Sequence, residues 1–174
     1  VEGEPGSGKS ALVRRFLSEV AAGEDALVLR GRCHPEESVP YKALDGVVDE
    51  LSRFLMSEGS PRLLSYLPRH MDALRRVFPV LGRLPGLAAL GTSDERPAAP
   101  RDVRRRAFQG LRDMIGRISD HRTVIIWVDD LQWAGPDSEP GFRALLEPPD
   151  SPRLLLVLSS RTGAAPDFVA SERD

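Results

Sequence analysis

The chain has 174 residues, a length that suits one domain with a substantial buried core. Its 24 basic and 26 acidic residues give a net charge of −2, which excludes an overall basic field for nucleic acid or anionic membranes. No apolar run is long enough to span a bilayer. The single Cys33 excludes an internal disulfide framework and favours a reducing, cytoplasmic location.

The first element is a complete G-x-x-x-x-G-K-S phosphate-binding loop, which reads Gly3-Glu4-Pro5-Gly6-Ser7-Gly8-Lys9-Ser10 and continues into Ala11. Gly6 and Gly8 permit the positive φ that turns successive N–H groups toward an anion. Lys9 supplies charge for the outer phosphates, and the Ser10 hydroxyl is a ligand for Mg²⁺. The sequence therefore predicts a nucleoside-triphosphate site here.

A helix is expected directly after this loop, and its N-terminal dipole would attract the same phosphates. Five apolar residues recur at helical spacing: Leu12, Val13, Phe16, Leu17 and Val20. The alternative is a chance glycine-rich turn. That reading is weakened because the chain contains only two lysines, Lys9 and Lys42, and one of them stands where the motif requires it.

The next segments alternate between strand-like and helical patterns. Residues 26–33 form a predicted strand, 41–56 an amphipathic helix, and 61–90 a helical region broken by four prolines. The predicted core residues of that region are Leu63, Leu64, Leu67, Leu74, Val77 and Phe78. Residues 91–100 read as a linker, so 61–100 is expected to be a helical insertion within one partial P-loop ATPase domain, residues 1–174.

The second half of the chain is predicted to contain two more strands. Residues 102–119 form an amphipathic helix, and 123–129 an apolar, β-branched run typical of a strand buried on both faces. A short helix at 137–146 and a second buried strand at 153–159 follow. This alternation predicts an α/β fold, a three-layer sandwich around an open parallel sheet.

Two adjacent acids, Asp129 and Asp130, end the predicted strand at 123–129. Ligands of open α/β sheets bind outside the carboxyl ends of the strands, where these acids are expected. Asp129 is the candidate Mg²⁺ carboxylate and is expected to bind the ion through water, and Asp130 is the candidate general base that activates water. The alternative is that the two acids only cap the next helix or mark a turn. The upstream phosphate loop favours the functional reading.

Arg161 follows the last predicted strand, in the run Ser159-Ser160-Arg161-Thr162. A guanidinium at this edge of the sheet can reach a γ-phosphate and report whether it is present. Spacing alone does not distinguish that role from a solvated strand-end arginine.

These motifs, together with Gly31-Arg32-Cys33, Val39-Pro40-Tyr41 and Val128-Asp129-Asp130-Leu131-Gln132-Trp133-Ala134, resemble the STAND branch of AAA-related ATPases. The similarity is greatest to ATPase modules of large bacterial regulators: MalT-like and LuxR-type activators, adenylate cyclase fusions and Ser/Thr kinase fusions. The resemblance implies a nucleotide-dependent switch that binds ATP or ADP with Mg²⁺. It also implies attached partners in the same polypeptide, among them kinase, cyclase or DNA-binding effectors and helical repeats, and a nucleotide-dependent homo-oligomer.

Position by position, the resemblance assigns Lys9 and Ser10 to phosphate and Mg²⁺, Asp129 and Asp130 to Mg²⁺ and water, and Arg161 to the sensor position. Gly135 departs from the family, which often has an acid there. The family strand order places the phosphate-loop strand beside the Arg161 strand. Only two residues precede Gly3, so we expect a shortened strand in a segment of a longer protein, prone to aggregate through residues 153–159.

Other candidate sites are weaker. Cys33 and His34 are adjacent, which is poor zinc geometry, and Arg104-Arg105-Arg106 is more typical of a solvated helix face than of a nucleic-acid contact. Two functional classes remain open, a slow ATPase switch and a non-hydrolysing nucleotide-binding oligomerisation scaffold. A small-molecule kinase is disfavoured because no basic lid follows the second acid, and an origin-recognition-like ATPase because no helix-turn-helix is visible.

Overall fold

A computed structural model describes residues 1–23, 25–36, 40–87, 99–149 and 151–166. It confirms the predicted α/β class, with parallel strands alternating with helices. The strands are β1 (Glu2–Gly3), β2 (Ala26–Arg32), β3 (Thr123–Asp129), β4 (Leu154–Leu158) and β5 (Ser160–Arg161). The helices are α1 (Lys9–Gly23), α2 (Lys42–Ser57), α3 (Ser60–Tyr66), α4 (Met71–Val77), α5 (Pro100–Ser119) and α6 (Glu139–Leu146). Short 3₁₀ helices cover Pro79–Arg83, Leu131–Trp133 and Pro136–Ser138.

The chain divides into two compact units. The first holds the described residues of Val1–Val47, Arg122–Glu139 and Leu154–Asp174 and contains all five strands. The second holds the described residues of Val48–His121 and Pro140–Arg153 and is helical.

The strands of the first unit form two parallel sheets, one of β2, β3 and β4 and the other of β1 and β5. β3 lies between β2 and β4, with Ala26 opposite Thr123 and Arg32 opposite Asp129. β1 pairs with β5, so the phosphate-loop strand lies beside the Arg161 strand as the resemblance implies. Ser159 is the single residue between β4 and β5, and there the chain changes its pairing partner from β3 to β1. The carboxyl ends of these strands therefore meet at one edge.

The core of the first unit forms where α1 packs on the sheet of β2, β3 and β4. Val13 and Leu17 are buried against Ile125 and Trp127, and the partly buried Val20, Val28 and Val157 surround them. Leu12 and Phe16, predicted to share this face, are instead 65% and 42% exposed. Both residues lie beside the buried face of α1. The described strands pack against the face that contains Val13 and Leu17.

The apolar pattern predicts a buried strand at 153–159, which is wrong, whereas the exposure of this strand that the resemblance implies is observed. The observed β4 is mostly half-buried, and Leu155 is 44% exposed. Within the described residues β4 has β3 on one side, and the pairing with β1 begins only at Ser160. An edge strand of this kind lacks the second neighbour that buries an interior strand. β3, in contrast, is buried at every position except Thr123, as predicted.

The second unit is built around α5. Its apolar face buries Ala107, Phe108, Leu111, Met114, Ile115 and Ile118. Gly110 lies close to the carbonyl of His70, where a Cβ would be 3.4 Å from that oxygen, and this allows tight packing at the start of α4. Arg117 donates to the carbonyl of Leu67 at 2.6 Å and so satisfies an acceptor just beyond α3.

The prolines divide the predicted helical region 61–90 into α3, α4 and a 3₁₀ turn, as their missing N–H groups require. Four of the six core residues expected there are buried, whereas Leu64 is 48% exposed and Val77 is half-buried. The predicted helix at 137–146 begins as a 3₁₀ turn and becomes α-helical only at Glu139. The predicted linker lies outside the described residues except for positions 99 and 100.

Candidate nucleotide site

The phosphate loop connects β1 to α1. Gly6 and Gly8 adopt φ values of 79° and 84°, the left-handed region in which L side chains are strained. A Cβ on either glycine would meet nothing within 4 Å, so the backbone conformation, and not lack of space, requires glycine at these positions. α1 begins at Lys9, directly after the loop, which places the N-terminal end of its dipole against the turn.

Lys9 is held across the loop by its own backbone. Its ammonium group donates to the carbonyl of Gly3 at 2.7 Å and to the carbonyl of Glu4 at 3.0 Å. These neutral acceptors leave the positive charge uncompensated, and an anion that entered the loop would compensate it. Gly3 and Glu4 thus act on the lysine through their carbonyl groups.

The Asp129 carboxylate is 3% exposed and accepts three hydrogen bonds. Ser10 Oγ donates to Oδ2 at 2.7 Å, Ser159 Oγ donates to Oδ1 at 2.7 Å, and the N–H of Asp130 reaches Oδ1 at 3.1 Å. A buried carboxylate requires such donors because it has lost its water shell. Ser10 and Asp129 bring together a hydroxyl and a carboxylate, the oxygen donors that suit Mg²⁺. This part of the site fits the cation that the sequence predicts.

Asp130 differs from its neighbour Asp129 in backbone conformation. Its φ of 55° and ψ of 41° place it in the left-handed region, which turns it away from the direction of β3. Its side chain makes no cap hydrogen bond to the 3₁₀ turn that follows, so the helix-cap alternative does not describe it. Aspartate tolerates this conformation better than most residues, although some strain is stored here.

The Asp130 carboxylate lies between an arginine and an amide. Arg32, the last residue of β2, donates to Oδ2 through Nε at 3.0 Å and Nη2 at 2.9 Å, and Gln132 donates to Oδ1 at 3.1 Å. Partial burial raises the pKa of Asp130. The hydrogen bonds from Gln132 and Arg32, together with the charges of Arg32 and Arg161, outweigh that effect and hold the pKa below its ordinary value. Asp130 is therefore ionised at neutral pH.

Arg161 ends β5 at the same edge of the sheet. Its guanidinium carbon lies 5.6 Å from the centre of the Trp133 ring, a cation–π distance. Its backbone N–H donates to the side-chain oxygen of Gln132 at 3.2 Å. Gln132 therefore connects the Asp130 carboxylate to the backbone of the arginine that the family resemblance assigns to the sensor position.

One cavity of about 360 Å³ collects most of these groups. It is lined by Pro5, Gly6, Gly8, Lys9, Ser10, Ala11, Arg32, Asp130 and Arg161. Ser7 does not line it. Asp129 also lies outside the lining and is connected to the cavity through the hydroxyl of Ser10.

Sequence reasoning missed three polar residues around the two acids: Arg32, Gln132 and Ser159. Arg32 was assigned no role of its own, although it ends the strand next to β3. The signal that could have identified Arg32 and Ser159 is the rule that polar residues at the carboxyl ends of adjacent parallel strands converge. The contact between Gln132 and Asp130 depends on the left-handed turn at Asp130, which the sequence did not reveal.

A glycine-rich loop before a helix, a lysine within it and an acid on a neighbouring strand together define the class of P-loop nucleotide-binding proteins. A comparison with protein families is more specific: the AAA ATPase domain family matches residues 1–158. The chain belongs to this family, whose name indicates nucleotide binding and hydrolysis.

Searches of curated proteins and of solved structures gave no match. Among the residues that the structure describes, no helix combines the length and the apolar character that a membrane span requires.

Proposed function

We propose that the chain binds ATP with Mg²⁺, hydrolyses it slowly, and serves as the nucleotide-dependent switch of a multidomain bacterial signalling or transcriptional regulator. The observation that carries the proposal is the convergence of Lys9, Ser10, Asp130 and Arg161 on one cavity, with Asp129 directly behind Ser10. Family membership supports the ATPase part of the proposal.

In this proposal the loop binds the phosphates. The N–H groups around Gly6 and Gly8 and the N-terminus of α1 contact the phosphate oxygens, and Lys9 exchanges its two carbonyl partners for the outer phosphates. Ser10 and Asp129 would hold Mg²⁺, which neutralises phosphate charge when bound. The Ser10 hydroxyl would be one ligand of the ion, and Asp129, which accepts a hydrogen bond from Ser10, would act on it through water.

Asp130 is proposed to accept a proton from the attacking water. A general base works best when its pKa lies near the working pH. The pKa of Asp130 is instead held low, and its carboxylate is engaged by Arg32 and Gln132. Both properties support a slow hydrolytic step that depends on release of the carboxylate from Arg32. Arg161, at the carboxyl end of β5, would contact the γ-phosphate.

The regulatory context rests on the resemblance to the STAND modules. We propose that residues 61–100 form a helical insertion and linker within the ATPase domain, that the module acts in the cytoplasm, and that it controls attached effector domains through a change in assembly state. In this proposal the site distinguishes ATP from ADP, and the attached domains determine which activity the switch controls.

The non-hydrolysing scaffold remains the second candidate, and one observation favours it. The ion pair with Arg32 occupies the carboxylate that hydrolysis needs. A protein in which this pair never opens would bind nucleotide and oligomerise without turnover.

A thermal-shift experiment tests nucleotide binding. Saturating Mg²⁺-ATP should raise the unfolding temperature; a ligand at a hundredfold excess over its Kd stabilises the folded state by about 2.7 kcal/mol. Lys9→Ala should abolish the shift. Lys42→Ala is the matched control, because it removes the other lysine, which donates to the carbonyl of His34. Equal loss of the shift in both variants, or no shift in the folded wild type, would contradict the proposal.

A further inference from the structure

We propose that Ser159 and Trp127 are positioning residues that fix the Asp129 carboxylate, so that its Oδ2 atom is kept for the metal ion. The inference rests on the proposed Mg²⁺-ATP function and deepens it, because neither residue belongs to the phosphate loop or lines the cavity. It predicts which buried contacts set the affinity of the site for Mg²⁺.

The three residues form a chain of hydrogen bonds across two strands. The indole Nε1 of Trp127 donates to Ser159 Oγ at 3.0 Å, and Ser159 Oγ donates to Asp129 Oδ1 at 2.7 Å. Ser159 is fully buried and Trp127 is 4% exposed, so water does not substitute readily for either contact. Buried bonds of this kind are geometrically strict because a lost partner leaves a polar group unsatisfied.

The indole of Trp127 orients the hydroxyl proton of Ser159. A serine hydroxyl has one proton to donate, and its acceptors within reach are Asp129 Oδ1 at 2.7 Å and the carbonyl of Val128 at 3.5 Å. The indole of Trp127 is a donor only and occupies a lone pair of Oγ. That contact holds the hydroxyl in the orientation in which its proton points at the nearer, charged acceptor.

The two oxygens of Asp129 then have different roles. Oδ1 is fixed by the hydroxyl of Ser159 and by the N–H of Asp130. Oδ2 accepts a hydrogen bond from Ser10 Oγ, and Ser10 is one of the residues that line the cavity. A carboxylate fixed through one oxygen presents the other to a cation without losing rotational freedom at the moment of binding. Partners behind a metal ligand act in this way in metal sites generally.

Trp127 is itself held in place by residues of α1. Its body packs in the core cluster with Val13 and Leu17 of α1, and the Arg14 guanidinium carbon lies 5.8 Å from the ring centre. The indole N–H is therefore a rigid donor, which is what the orientation of a rotatable hydroxyl requires.

The test is a Mg²⁺ titration of the full chain at a fixed, saturating concentration of a non-hydrolysable ATP analogue, followed by thermal unfolding. The variants are Ser159→Ala, Trp127→Phe and the double variant. Ser159→Ala should raise the half-saturating Mg²⁺ concentration by roughly tenfold, the lower end of the range for partners behind metal ligands. Trp127→Phe should raise it less, because the hydroxyl is retained but no longer oriented.

The double variant distinguishes the proposed chain from two separate effects. If the indole acts through the hydroxyl, the double variant should need no more Mg²⁺ than Ser159→Ala alone, which is a non-additive cycle. Analogue binding in EDTA should be the same in all variants. Ser52→Ala is the matched control: Ser52 is also a fully buried serine, and its hydroxyl has no hydrogen-bond partner among the described residues.

The possible outcomes separate failure of the inference from failure of the proposed function. An unchanged Mg²⁺ requirement in folded Ser159→Ala, or multiplicative effects in the double variant, overturns the inference and leaves the proposed function intact. A wild type that shows no Mg²⁺-dependent stabilisation overturns the proposed function and the inference with it. If Ser159→Ala does not fold, Trp127→Phe decides alone, since a purely structural tryptophan would lower stability without changing the Mg²⁺ requirement.

Discussion

Arg32 and Asp130 form an ion pair with two contacts, in which Nε and Nη2 of the arginine lie 3.0 Å and 2.9 Å from one carboxylate oxygen. The pair connects the carboxyl ends of β2 and β3, at the edge where the phosphate loop also lies. Because the arginine side chain is 54% exposed, the pair is not fixed by burial, and it can open without unfolding of the core. Its opening is the step that we expect to limit hydrolysis.

Asp130→Asn tests the assignment of the general base. The substitution keeps the shape of the side chain but removes its ability to accept a proton, so phosphate release should fall to background while ATP affinity stays near that of the wild type. Steady-state phosphate release and equilibrium binding measure the two effects separately. Turnover that survives in Asp130→Asn would contradict this assignment, and no turnover in either protein would favour the scaffold.

Arg32→Gln tests whether the ion pair restrains the base. Removal of the guanidinium takes away a hydrogen bond and a positive charge, both of which lower the pKa of Asp130. This pKa should therefore rise, and the carboxylate should be freed. Phosphate release should then increase a few-fold at saturating Mg²⁺-ATP. Arg15→Gln is the control, because Arg15 forms an exposed ion pair with Glu19 on α1. A loss of turnover in Arg32→Gln as deep as in Asp130→Asn would show that the arginine is needed for catalysis.

The low pKa of Asp130 also predicts a pH dependence of folding stability. Because its pKa is lower in the folded than in the unfolded state, this carboxylate stabilises the protein above the unfolded-state pKa of about 4. That contribution is lost as the pH falls through the folded-state pKa. The free energy of unfolding should therefore fall more steeply below about pH 4 in the wild type than in Asp130→Asn. Urea unfolding from pH 6 downward, in steps, measures the difference, and parallel curves would contradict the prediction.

Much of the site was predictable because its residues are adjacent in sequence or end an apolar run. The phosphate loop, β3 and both acids belong to this group. The contacts of Arg32, Gln132 and Ser159 were not predictable in the same way, because they depend on strand register and on the left-handed turn at Asp130.

The fold shows the same division. Alternating apolar and polar segments gave the α/β class and the bounds of β3 without error, since those depend on local pattern. The exposure of Phe16 on α1 was not predictable, because it depends on which strands and helices lie next to it, whereas the exposure of Leu155 on β4 agrees with the exposed strand that the resemblance implies. Hydrophobic spacing identifies an apolar face but does not identify its partner.

Gly8→Ala tests the conformation of the loop. The added methyl group has space, but a non-glycine residue at φ 84° should cost about 1–2 kcal/mol of folding stability. It should also weaken nucleotide binding, since relief of the strain would turn N–H groups away from the phosphates. Gly23→Ala, at the end of α1, is the matched control: a Cβ there also meets nothing within 4 Å, and no positive φ is involved. Equal effects of the two substitutions would show that the loop conformation does not matter.

The exposed part of β4 predicts aggregation. Leu155 is 44% exposed on an edge strand with a run of apolar residues, a combination that favours pairing between molecules. Leu155→Lys should lower light scattering on heating with little loss of stability. Leu29→Lys is the contrast, because Leu29 is fully buried in β2 and its substitution should unfold the protein. A cooperative wild-type transition that is independent of concentration would contradict the prediction.

The most direct test of the central claim is an isothermal titration of the wild type and Ser10→Ala with ATP, in Mg²⁺ and in EDTA. We expect saturable binding of one ATP per chain to the wild type in Mg²⁺. We also expect a marked loss of affinity in Ser10→Ala that disappears when both proteins are compared in EDTA. Absence of binding to folded wild type, or a Ser10→Ala defect of the same size in EDTA, would contradict a Mg²⁺-ATP site built on Ser10 and Asp129.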